Sequence, residues 1–153
     1  MRSYSRLFLA AVIMLLQSAV SDAQDLRVVL ADIMQRADSS CVTITYAFAT
    51  SAGDADISDE GFVEAQDQMW HLKGQALEIY TDGTSTWIMD NDTKEAIVES
   101  GWSYDDLESF YSSAKKNGTD MKLRIVSEKV SARKPTSYFT PSFDSSWIVT
   151  DLR

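Results

Sequence analysis

One cysteine, Cys41, and one histidine, His71, are all that the 153 residues hold of the two side chains most used in covalent and metal chemistry. A single cysteine excludes an internal disulfide framework, although an exported chain is free to form one. Cys41 opens an apolar strand pattern, so a buried, inert thiol is expected. A serine or cysteine nucleophile usually needs a nearby imidazole base. The only candidate, His71, lies between Trp70 and Leu72 in a strand pattern, where a structural or surface role is expected. Neither a phosphate-binding loop nor a His/Cys metal cluster is present. Basic residues are few: 14 Lys and Arg face 23 Asp and Glu. Nucleic acid and anionic membrane surfaces repel such a chain. Repeats, low-complexity tracts and linkers are absent as well, which points to one domain.

The N-terminal apolar run is too short to span a membrane. Leu7 to Leu16 is ten residues without a charge. As a helix it reaches about 15 Å, half the hydrocarbon thickness. Arg2 and Arg6 precede it, and Ser21-Asp22-Ala23 follows with small residues at the recognition positions. Residues 1–23 therefore read as a cleavable signal peptide, with cleavage before Gln24 and a mature domain of residues 24–153. Losing Arg2, Arg6 and Asp22 leaves 12 basic residues against 22 acidic, a net charge of −10. No cysteine adjoins the cleavage point, so a soluble, exported form without a lipid anchor of its own is expected. A hydrophobic content of 44% and four Trp are enough for one packed core and argue against disorder.

What is present is a change of period. Leu26, Val29, Leu30, Ile33, Met34 and Ala37 follow helical spacing and predict a helix over 25–37 with one buried face. From Cys41 to Thr50 the pattern alternates, with Val42, Ile44, Tyr46 and Phe48 on one side. Ser51 to Glu60, small and acidic, reads as an exposed loop. Antiparallel strands are expected over 62–66 and 69–73 around Asp67-Gln68, over 75–81 and 85–89 around Asp82-Gly83, and over 94–99. Ser103 is a candidate cap for a second helix that Asn117-Gly118 ends. Strand patterns resume at Met121, and the tail places Tyr138-Phe139 and Trp147-Ile148-Val149 around Pro135 and Pro141. The expected class is α+β: a curved antiparallel sheet with helices packed on its concave side.

The chemistry-bearing candidates are weak. Residues 54–60 and 90–95 are acidic enough for calcium but lack the EF-hand spacing and central glycine. No carboxylate pair stands out for hydrolysis. Asn91-Asp92-Thr93 and Asn117-Gly118-Thr119 match the glycosylation sequon, a short and frequent pattern. More telling is the central hairpin, which carries apolar groups on both faces. Such a sheet in a small domain needs a cover on each side or a hydrophobic ligand on one.

The runs Gly61-Phe-Val-Glu-Ala-Gln, Trp70-His-Leu-Lys-Gly74, Leu77-Glu-Ile-Tyr-Thr-Asp82-Gly83-Thr-Ser-Thr-Trp87-Ile-Met-Asp90 and Lys94-Glu-Ala-Ile-Val98 resemble the outer-membrane lipoprotein carrier proteins (LolA-like), in their short Bacteroidetes-type form. The tail Trp147-Ile-Val-Thr-Asp151-Leu-Arg153 is similar to the ending of those members. The resemblance spans roughly residues 26–153 and is dense over 61–98 and at the tail. It implies an incomplete, strongly curved antiparallel β-barrel, with helices covering the concave side and a hydrophobic cavity for acyl chains of lipoproteins crossing the periplasm. An inner-membrane donor complex and an outer-membrane acceptor follow from it as partners, a monomer as the expected state, and neither catalysis nor a cofactor or metal. In this sequence Glu64-Ala-Gln-Asp67 stands where family members carry an Arg-Pro pair that ties a helical lid, so that latch does not carry over. The expected cavity lining is Leu77, Ile79, Trp87 and Met89 as one patch, extended by Tyr46 and Phe48. Leu30, Ile33 and Met34 are expected opposite, as the other wall. The alternatives are an envelope protein binding free lipid or glycolipid, and a secreted protein-interaction module.

Overall fold

The structure, a computed structural model, describes residues 32, 33, 35–52, 55–75, 77–102 and 121–153. Eight strands follow one another: β1 (Cys41–Ala52), β2 (Ala55–Gln66), β3 (Met69–Lys73), β4 (Leu77–Thr81), β5 (Ser85–Asp90), β6 (Glu95–Ser100), β7 (Met121–Ser131) and β8 (Ile148–Asp151). They form one sheet in the order β7-β1-β2-β3-β4-β5-β6-β8. β1 to β6 is an antiparallel meander, and β7 returns antiparallel to β1.

Short turns fix the registers. Asp67 takes a positive φ of 53° between β2 and β3, a conformation Asp tolerates better than most residues. Between β4 and β5, Gly83 has φ 87°, where a Cβ would be strained. Asp82 Oδ1 accepts the amides of Thr84 and Ser85, each at 2.8 Å, and locks that turn. At Gly61 a Cβ would lie 1.9 Å from the Lys73 carbonyl oxygen, so the close approach of β2 to the end of β3 requires glycine.

The expected fold needs correcting. The sheet is mixed, because β8 runs parallel to β6. It is open, with β7 and β8 as its two edges, and not an incomplete antiparallel barrel covered by helices. Among the described residues, helix is confined to 32, 33 and 35–37 and to a 3-10 turn at Thr136–Phe139. Among those residues, too, no helix is long and apolar enough to cross a membrane. Alternation in a sequence reveals a strand but not the direction of its neighbour, so nothing local to residues 148–151 specifies a parallel β8. After β7 the chain leaves one edge, crosses to the 3-10 turn, and joins the opposite edge at β8. The helix expected from Ser103 lies outside the described residues. The stretch expected as an acidic loop is largely strand: Ile57 pairs with Thr50 and Asp59 with Phe48. The backbone ladder of a long hairpin continues there in spite of acidic side chains.

Residues directly opposite in these ladders share a face. One face carries Val42, Ile44 and Tyr46 of β1, Val63 and Ala65 of β2, Leu72 of β3, Leu77 and Ile79 of β4 and Ile88 of β5, all buried. The other carries Glu64 and Gln66 of β2, Met69 and His71 of β3, Glu78 and Tyr80 of β4, and Trp87 and Met89 of β5. On this second face Phe139 packs with Cys41 and Met69 in a buried cluster that Tyr138 borders.

Candidate functional site

The expected lining residues do not form one patch. Leu77 pairs with Asp90 and Ile79 with Ile88, whereas Trp87 pairs with Tyr80 and Met89 with Glu78. Leu77 and Ile79 therefore share the apolar face with Ile88, and Trp87 and Met89 lie on the opposite side. Displacing a ladder by one residue exchanges the faces of a strand, and the expected patch needed that displacement. Tyr46 is buried on the Leu77/Ile79 face, and its hydroxyl lies 3.4 Å from Asp59 Oδ2. Phe48 lies on β1 in register with Asp59. Ile33 is buried in the helical segment, and Leu30 and Met34 lie outside the described residues.

The polar face holds a cluster centred on His71. Its Nε2 lies 2.6 Å from Glu78 Oε1, and its Nδ1 lies 3.3 Å from the Tyr138 hydroxyl and 3.7 Å from Glu64 Oε2. Tyr138 donates to Glu64 Oε2 at 2.5 Å, and Lys134 Nζ donates to Glu64 Oε1 at 2.5 Å. Tyr80 donates to Glu78 Oε1 at 2.8 Å and stacks on the imidazole with centroids 4.1 Å apart. Phe62 meets the ring edge-on at 5.2 Å. His71, Glu64 and Glu78 are all buried.

Burial alone raises both carboxyls. At Glu78, hydrogen bonds from His71, Tyr80 and Asn91 outweigh that effect and bring the carboxyl down to about 2. At Glu64, burial also acts upward, but the bonds from Lys134 and Tyr138 hold the carboxyl below its ordinary value. Both groups are thus anions inside the protein, each neutralised by a neighbouring donor set. Burial raises the Tyr80 hydroxyl, and the charge of Glu78 raises it further.

Chemically the cluster is saturated. Both imidazole nitrogens are engaged, so neither offers a lone pair to a substrate, and burial removes the access a general base requires. Among the described residues, no group of three or more His, Cys, Asp and Glu is disposed to hold a metal ion. The sequence left a structural or a surface role open for His71, and the fold buries it. Its partners were not singled out there, although Glu64 within Phe62-Val63-Glu64-Ala65 and Glu78 between Leu77 and Ile79 carried a signal. A carboxylate inside an apolar strand run implies a buried partner.

Compared with known protein families and with curated proteins, the chain matches none.

Proposed function

We propose that the protein is an exported, non-enzymatic carrier that shields acyl chains of lipoproteins, or of other envelope lipids, on the apolar face of its sheet. The observation that carries this reading is the continuity of that face: Val42, Ile44, Tyr46, Val63, Leu72, Leu77, Ile79 and Ile88 run across five adjacent strands, with Asp59 beside Tyr46 and Asp90 opposite Leu77 at its border. At roughly 4.8 Å between strands this is about 19 Å wide, comparable with one leaflet of hydrocarbon. Each buried methylene contributes about 0.8 kcal/mol, so a chain of about sixteen carbons supplies roughly 10 kcal/mol before ordering costs. Shape and apolarity then suffice, and no reactive group is called for. The resemblance to lipoprotein carriers supports the periplasm as the compartment, with an inner-membrane donor and an outer-membrane acceptor as partners.

The adjacent residues Ile88 and Met89, which face opposite sides of β5, provide the test. Protein purified from its host is analysed by native mass spectrometry, and a fluorescent fatty-acyl probe is titrated onto Ile88→Ala and Met89→Ala. Both variants lose stability, by about 2–5 kcal/mol for a buried truncation. Acyl species on the purified protein and probe affinity lowered only by Ile88→Ala are the expected results. A clean apo mass with no probe binding overturns the proposal.

A second reading, a protein-interaction module, is favoured by one feature: Ile148, Val149 and Leu152 at the β8 edge are exposed apolar side chains. It predicts that Ile148→Lys abolishes partner capture while acyl binding is absent in every variant.

A further inference from the structure

The segment after β7 is strapped to the polar face, and its fastening runs through the only histidine of the chain. Arg133 bonds Asp67 and the Asp38 carbonyl. Gln66 bonds both the amide and the carbonyl of Lys134, at 2.7 and 2.9 Å. Lys134 and Tyr138 converge on Glu64, and Tyr138 also reaches His71. Phe139 is fully buried beyond them.

Counting hydrogens in this cluster is restrictive. Tyr138 has one hydroxyl hydrogen, and at 2.5 Å it goes to Glu64 Oε2, leaving only a lone pair for His71 Nδ1. Nε2 faces a carboxylate oxygen of Glu78, which already accepts from Tyr80 and can only accept again. Both ring nitrogens therefore meet acceptors, and the full set of bonds forms only when the ring carries two hydrogens. The groups around the ring are Glu64 on β2, Glu78 and Tyr80 on β4, Tyr138 and Lys134 on the strap, and Lys73 two residues along β3. Thr43 of β1 and Asn91 reach the two carboxylates from farther out. With the ring doubly protonated, two anions, Glu64 and Glu78, face two cations, His71 and the half-buried Lys134.

We infer that the second proton on His71 sets the hold of the 132–139 strap, making it a pH-sensitive latch. When that proton leaves, it leaves from Nδ1, because Nε2 is the nitrogen closely bonded to Glu78. The Nδ1 lone pair then competes with Glu64 for the one hydrogen of Tyr138. One contact is lost, and the cluster of Glu64, Glu78, His71 and Lys134 becomes net negative. The latch holds while the ring keeps both protons and loosens as pH rises through the ring's titration.

A single histidine gives a single imidazole signal. In the uniformly ¹⁵N-labelled protein, the ring nitrogens and the amide exchange of residues 133–139 are followed together from about pH 5 to about pH 10. Strap exchange is divided by that of β4 and β5 amides in the same sample, which removes the intrinsic pH dependence. The expected result is two protonated nitrogens at low pH and a several-fold rise in the ratio in the same step in which one proton is lost. Tyr138→Phe keeps the ring and Glu64 but removes the bridge, so its ratio should be high and flat. A ring with one protonated nitrogen throughout, a ring that does not titrate, a titration that leaves the ratio unchanged, or a step that persists in Tyr138→Phe overturns the latch.

Discussion

At Glu78, burial pushes the carboxyl up while hydrogen bonds from His71, Tyr80 and Asn91 pull it down, and the balance lies at about 2. The folded value is below the ordinary one, so the ionised carboxylate stabilises the fold above about pH 4.5. That contribution fades as pH falls from there towards 2. A depression of this size corresponds to on the order of 3 kcal/mol. Glu78→Gln should therefore be less stable at neutral pH by about that amount. Its deficit should shrink as pH is lowered towards 2, which chemical denaturation at several pH values measures. A deficit that stays constant with pH would mean that packing, not charge, carries the residue's contribution. The sequence placed Glu78 between two apolar neighbours in a strand, and that much was readable. What holds its charge comes from Tyr80 two residues away, from Asn91 in a turn and from His71 on the next strand, a convergence that no local pattern expresses.

Among the elements, the meander from Phe62 to Glu99 was legible because alternation and the Asp67 and Asp82-Gly83 turns act locally. The strap was not. Tyr138-Phe139 and Pro135 indicate an irregular tail, yet only the folded chain brings Lys134 alongside Gln66 on β2. Gln66, itself 1% exposed, substitutes for a neighbouring strand by pairing with the backbone of Lys134 on both sides. Gln66→Leu would fill a similar volume and leave that amide and carbonyl unpaired. An unsatisfied buried group costs about 1–3 kcal/mol. The expected outcome is a loss of stability in that range and faster proteolytic cleavage within 132–139, with the β4–β5 amides still protected from exchange. Uniform loss of protection across the sheet would show that the strap is part of one cooperative unit.

For the whole molecule, the sheet order leaves two edges with different exposure from the centre. Val126 and Val130 on β7 and Ile148 and Val149 on β8 are exposed, while Ile88 on the interior strand β5 is 6% exposed. β8 is four residues long and carries Asp151 bonded to Arg153, features that discourage edge-to-edge pairing. Ile148→Lys should change stability by no more than about 0.5 kcal/mol, whereas Ile88→Ala should cost about 2–5 kcal/mol. Thermal denaturation of the two variants side by side checks this, and comparable losses would contradict the burial pattern.

The sequence by itself determined most of the strands, though not the acidic end of the β1–β2 hairpin, together with the turns of the meander, the excess of negative charge and the scarcity of catalytic side chains, because each depends on composition or on neighbours a few residues apart. Tertiary structure decided which face each strand turned towards which neighbour. Leu77 and Ile79 joined Ile88 and not Trp87, since facing is set by the ladder register and one residue of displacement reverses it. The direction of β8 and the Glu64–His71–Glu78–Tyr138 assembly were likewise decided only on folding. β8 joins β6 across more than fifty positions, and Tyr138 reaches Glu64 and His71 across 74 and 67, so the bonds that fix them have no counterpart in the local pattern of the chain.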